Sequence, residues 1–116
     1  NGKLTWQESL DFTPDSLDGV ERMLGKIHNL HRFAAAGTGP NEAQLAAASK
    51  LWGIYIGEVI RRHYGGQWLQ GPDGALTLAI GEAQVSPIAK ARKRIVDGPT
   101  ENIRYYFSSM TKVLQG

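Results

Sequence analysis

Cysteine is absent from all 116 residues, which excludes disulfides, thiolate zinc sites and cysteine nucleophiles. Long hydrophobic runs are missing as well: no apolar stretch nears the roughly 18 residues that a membrane-spanning helix needs. The chain contains no G-x-S-x-G elbow and no H-E-x-x-H pair, and "GTGP" (37–40) is too short for a phosphate loop and lacks its lysine. Serine-hydrolase, zinc-protease and nucleotide-binding signatures are therefore not there to build on. A signal-peptide pattern is also lacking. The chain begins at Asn1, and the expectation is a cytoplasmic protein, with export after removal of a leader as the alternative.

What is present describes a folded domain. Hydrophobic residues make up 41% of the chain and charged residues 21%, a balance that buries a core rather than staying disordered, so residues 1–116 read as a single domain. The net charge of +2 is unevenly placed. Residues 1–60 hold five basic and seven acidic side chains, residues 61–116 eight and four. The excess collects in "RR" (61–62) and "KARKR" (90–94), which raises the odds of an anionic partner without requiring one.

Hydrophobic spacing gives the element order. "KLTWQESLDF" (3–12) reads as a short strand or extended lead-in. Thr13-Pro14 predicts a helix start with the hydroxyl as cap, and Leu17, Val20, Leu24, Ile27 and Leu30/His31 carry the stripe to about Ala36. Pro40 opens a longer helix that runs to about Tyr64, where Gly65-Gly66 stops it. Leu45, Ala48, Trp52, Tyr55, Ile56, Val59 and Ile60 share one broad arc, as expected of a central helix. Ser49, Gly53 and Gly57 form a strip without bulk, on which another element could pack closely. "QWL" (67–69), "ALTLAI" (75–80) and "AQVS" (83–86), separated by "GPDG" and "GE", predict an antiparallel meander. Ser86-Pro87 starts a basic helix that Gly98 ends. Thr100 is expected to cap a last helix striped by Ile103, Tyr106, Phe107, Met110, Val113 and Leu114. The fold class is α+β: a three- to four-stranded antiparallel sheet against about four helices, in the order (β)ααβββαα.

"LDFTPDSL", "GIYIGEVIRRHYGGQW" and "SPIAKARKRIVDGPTENIRYYF" together resemble a family of uncharacterised small bacterial domains, over roughly residues 9–107. The GxYxGEVI…GGxW core is the most specific part of that likeness. The resemblance implies an α+β architecture and brings no mechanism with it.

Candidate functional residues fall in three groups. Glu58 projects between Leu51 and Ile54, where a carboxylate must be paired or perturbed. A structural ion pair with Arg62 is expected, or else donors from the backbone of a neighbouring loop; a general acid or base is the alternative. His28 and His31, three apart, could share a metal with His63, but no carboxylate stands at ligand spacing, so neither a metal nor a cofactor is expected. His28 reads as part of a wet face with Asn29 and Arg32. Lys90, Arg92, Lys93 and Arg94, with Arg61 and Arg62, are the candidate binding residues. Trp6, Trp52 and Trp68 read as buried by default; one exposed beside arginines would mark a protein-binding patch.

The reading that follows is a small non-enzymatic domain that binds another macromolecule, most plausibly a protein. Toxin neutralisation of the immunity type is a narrower form that rests on fold analogy. One rival is weak nucleic-acid binding through 90–94 with Arg61 and Arg62. The other is an enzyme or ligand-binding site around Glu58, Arg62 and His63.

Overall fold

The computed structural model describes residues 10–33 and 39–115, without the side chains at 111 and 113–115. The lead-in strand expected at 3–12 falls almost wholly outside the described residues, as do Trp6, the end of the first helix at Ala36, and the side chains of Val113 and Leu114 in the last stripe. Within them lie four helices and a three-stranded antiparallel sheet, in the order ααβββαα. This is the α+β class that the spacing implies.

The first helix begins differently from its expected cap. Pro14–Ser16 form a 3-10 turn that leads into α1 (Leu17–Phe33). The Thr13 hydroxyl does not cap it but donates to Asp11 Oδ1 (2.6 Å). Ser16 closes the turn instead, its N–H and hydroxyl both donating to the Thr13 carbonyl (3.0 and 2.6 Å). Leu17, Val20 and Leu24 are fully buried, and the next buried position is His28. Leu30 is 60% exposed and His31 also faces solvent, so the stripe ends a turn earlier than its spacing suggests.

Asn41, not Pro40, caps the central helix α2 (Glu42–Tyr64). Its side chain accepts from Gln44 N–H (2.8 Å) while Gln44 Oε1 accepts from Asn41 N–H (2.9 Å), a reciprocal box that satisfies two orphan donors. At the far end Gly65, with φ of 86°, returns its N–H to the Arg61 carbonyl (2.8 Å).

The strip of small residues on α2 decides how everything else docks. A Cβ at Gly53 would lie 2.3 Å from Ile88 Cα, and one at Gly57 would lie 2.2 Å from the Trp68 ring. The helix α3 (Pro87–Asp97) and the strand β1 (Gln67–Gln70) thus sit on bare backbone. β2 (Leu76–Ile80) pairs with β1, and β3 (Ala83–Val85) pairs with β2. Trp68, Leu78 and Val85 stand opposite one another and face the helices, with Leu78 fully buried.

The last helix, α4 (Ile103–Gln115), buries Ile103, Phe107 and Met110. Thr100 is not its cap. Thr100 sits inside a 3-10 turn, Pro99–Glu101, and Asn102 Oδ1 accepts the Tyr105 N–H (2.8 Å). Among the described residues no helix is long and apolar enough to cross a membrane.

Candidate interaction surface

Glu58 and Arg61 lie three apart on α2, close enough for side chains to meet on one face. Arg61 engages the carboxylate with two parallel bonds, Nε to Oε2 at 2.8 Å and Nη2 to Oε1 at 3.0 Å. Such a fork is stronger and more directional than a point-charge pair. The Trp68 indole N–H adds a third donor, at 2.7 Å from Oε2. Arg62, the partner expected from the sequence, stands farther away, with Nε at 3.8 Å. These groups hold the Glu58 carboxyl at a pKa of about 2. Hydrogen bonding from Arg61 is the chief cause, working against desolvation and aided by Trp68 and the charges of both arginines. No loop backbone is needed. The donor the sequence reading missed is Trp68, and its signal was available: Gly57 leaves a gap beside Glu58 that an aromatic ring can fill.

Arg62 is engaged elsewhere. Its guanidinium carbon lies 4.1 Å from the centroid of Phe12, a cation–π distance. Phe12 in turn stacks on Tyr55, with centroids 4.6 Å apart and planes 23° from parallel. The Tyr55 hydroxyl accepts the Phe12 N–H (2.9 Å) and donates to Ser16 Oγ (2.7 Å). Phe12 has φ of 63°, a left-handed conformation that costs a bulky residue about 1–3 kcal/mol and persists only where surroundings over-determine it. Here they do. Arg104, from α4, clamps the same segment by donating to the Pro14 carbonyl and reaching Asp15 Oδ1 at 3.3 Å. The result is a column of Tyr55, Phe12 and Arg62, with the Arg62 side chain 51% exposed at its top. Phe12 and Tyr55 were not singled out from the sequence as site residues, because nothing local to either predicts the other.

The basic stretch does not form one cationic face. Lys90 pairs with Glu101 (2.8 Å), and Arg92 takes Glu42 with two bonds (2.8 and 2.9 Å). Both carboxylates are held below their ordinary pKa, chiefly by the hydrogen bond from that cation. Arg94 is not a surface residue at all. Its side chain is 6% exposed and bonds Glu21 at 2.7 and 2.8 Å, while the other oxygen of Glu21 accepts the Ile103 N–H at the start of α4 (3.0 Å). Arg94 Nη1 is buried without a hydrogen-bond partner. Of the four, Lys93 alone is exposed without an ion pair among the described residues.

The histidines are dispersed. His28, expected on a wet face, is buried, and its Nδ1–H donates to the Ile95 carbonyl (2.6 Å); since a carbonyl can only accept, Nδ1 carries the proton. Its ring occupies the space a Cβ on Gly98 would need, 2.9 Å from Nε2. His31 is exposed at the end of α1. His63 packs edge-on against Tyr64 (4.7 Å) and Phe107 (5.3 Å), roughly 140° around the helix from Glu58. Glu58, Arg62 and His63 therefore do not converge. Among the described residues no three His, Asp or Glu side chains are placed to hold a metal ion.

Trp52 is buried, and Trp68 and Phe12 are both half-buried, so neither described tryptophan stands exposed beside arginines; Phe12 is the half-buried ring that Arg62 covers. Comparison of the chain with protein-family models, with curated proteins and with solved structures gives no match, so the functional reading rests on this geometry.

Proposed function

We propose that this chain is a non-catalytic protein-binding domain whose contact surface centres on Arg62. The observation that carries the reading is the column Tyr55–Phe12–Arg62, a half-exposed guanidinium seated on two stacked rings. Arginine and large aromatics dominate the energetics of protein interfaces when they are held in one conformation beforehand, because little side-chain entropy is then lost on docking. Arg61 holds Glu58 with both of its bonds, so Arg62 keeps only a long 3.8 Å approach to that carboxylate and stays half-exposed. Nucleic-acid binding is supported less well, since Lys90, Arg92 and Arg94 are each neutralised by a carboxylate. Toxin neutralisation is a narrower form of the protein-binding reading, in which this surface would cover the partner's working face.

The test is photo-crosslinking from a position next to Arg62 in extract of the native cells, repeated with Arg62→Ala and Arg62→Lys. A specific protein adduct should form with the parent chain and vanish in Arg62→Ala. Arg62→Lys should restore it poorly, because an ammonium lacks the planar fork that both stacks and donates. Adducts that survive Arg62→Ala would overturn the reading.

A further inference from the structure

Among the described residues the sheet is incomplete along one side of β2. The β2–β3 hairpin turns at Gly81-Glu82 and pairs Ile80 with Ala83, Ala79 with Gln84 and Leu78 with Val85. Beyond Val85 the chain leaves the sheet, because Pro87 begins α3. β2 extends two residues past that point. Leu76 and Thr77 pair with Gln70 and Leu69 of β1 on one side, and β3 does not reach them on the other. Successive residues of a strand aim their N–H and C=O at alternate neighbours. The Gly71 N–H bonds to the Ala75 carbonyl (2.8 Å), which places the odd-numbered groups on the β1 side and leaves those of Leu76 facing the open side.

That open stretch borders a groove of about 420 Å³ between the start of β2 with the turn before it, the first half of α2 and the start of α3. Ile88 and Ala89 give it an apolar wall, and Lys50 and Arg92 stand on its lining. Lys50 is exposed and has no ion pair among the described residues. The carboxylate that holds Arg92, Glu42, has a side chain 72% exposed, so that pair sits in water and can exchange partners with little loss. The volume is within the range of about 300–1,000 Å³ typical of ligand sites.

We propose that this groove binds an extended acidic peptide, which adds antiparallel to β2 in the place β3 vacates. Main-chain pairing at Leu76 supplies register, the wall formed by Ile88 and Ala89 takes alternate side chains, and Lys50 meets a peptide carboxylate. This is strand addition at a sheet edge. The site shares no residue with the Arg62 surface, so the two readings stand or fall separately.

The test uses the full chain and a fluorescein-labelled octapeptide of alternating valine and glutamate, with two controls: lysine for each glutamate, and proline for alternate residues to remove main-chain donors. The glutamate peptide should bind, weaken with salt, and slow amide exchange at Leu76. Both controls should fail. Lys50→Glu should weaken binding roughly tenfold or more. Ala46→Trp, at an exposed helix position that lines the groove, should block binding with the thermal midpoint unchanged. Arg62→Ala should leave binding intact. Equal binding of all three peptides, or no binding at millimolar concentration, overturns the proposal. So does binding of decanoate in preference to the peptide, which would assign the groove to a small acyl anion. Self-association abolished by Ala46→Trp would assign it to a second copy and overturn the proposal equally.

Discussion

Two glutamate–arginine pairs anchor different elements of this molecule, and they differ in almost everything but chemistry. Glu58 and Arg61 are three residues apart on one helix, with side chains 21% and 39% exposed. Glu21 and Arg94 are 73 residues apart, 18% and 6% exposed, and tie α1 to α3 and to the first N–H of α4. The first pair trims a surface that the helix would form anyway. The second is a junction of three helices, and it retains a buried guanidinium nitrogen without a partner. Burying a charge is expensive unless every donor is answered, so the long-range pair carries the greater risk when broken.

Breaking the Glu21 end should therefore have the largest effect. Glu21→Ala strands the Arg94 cation in the interior and orphans the Ile103 N–H, and should destabilise the fold by about 3–5 kcal/mol in urea titrations. The double variant Glu21→Leu with Arg94→Met should recover most of that loss, because an apolar pair of similar volume carries no desolvation penalty. If the double variant is as unstable as the single one, the pair is needed for more than its own neutralisation.

Next is the support beneath the local pair. Gly57→Ala places a methyl 2.2 Å from the Trp68 ring, and displacing that ring should cost about 1–3 kcal/mol. The displacement also breaks the indole bond to Glu58, which a shift in tryptophan emission would report. Gly65→Ala offers a contrast: its Cβ meets nothing within 4 Å, so any loss there comes from its backbone conformation, φ 86° and ψ −176°, which essentially only glycine adopts, and should be about 1–3 kcal/mol.

The local pair itself should matter somewhat less than the buried one. Glu58→Ala removes an acceptor shared by Arg61 and Trp68 and should cost about 1–3 kcal/mol, with Glu58→Gln costing less because one acceptor oxygen remains. The pH dependence follows from the lowered pKa. Glu58 titrates near 2 in the folded chain against 4.5 for the free carboxyl, so the unfolded state binds the proton first as pH falls. The stabilisation is fully present above about pH 4.5 and is lost between there and pH 2. Partial exposure of both side chains screens it to about 1–2 kcal/mol. Urea midpoints measured from pH 7 to pH 2 should fall less steeply in Glu58→Gln than in the parent across that interval.

The smallest effect should come from the most exposed pair. Arg92→Ala leaves Glu42 in solvent and should leave stability almost unchanged, with any effect diminishing further at raised salt. A thermal midpoint that drops by several degrees would mean that the α2–α3 contact depends on this pair.

The parts of the fold that could be read from the chain are those with a local cause. Gly65 and Gly98, both at positive φ, end helices where the sequence places the ends, because only glycine adopts that conformation without strain. The small-residue strip at Ser49, Gly53 and Gly57 marks the docking face of α2, since absence of side chains is itself the signal. Each misplaced cap fails for its own reason. Thr13 gives its hydroxyl to Asp11 and Thr100 lies inside a 3-10 turn, whereas Asn41 and Asn102 reach the helix N–H groups directly.

The amino-acid sequence alone determined the element order, the α+β class and the requirement that Glu58 be satisfied inside the protein. These follow from periods of 3.6 and 2 residues and from helix spacing, which act within a few residues. The tertiary structure alone decided that Trp68 joins in answering Glu58, that His28 and Arg94 are interior, and that Arg62 stands on Phe12, itself stacked on Tyr55. Each depends on a partner brought in from a distant element: Trp68 into the gap at Gly57, Ile95 and Gly98 against His28, Glu21 onto Arg94. A side chain's spacing on its own helix says which way it points, but whether water or another part of the chain waits there is settled only when the helices pack.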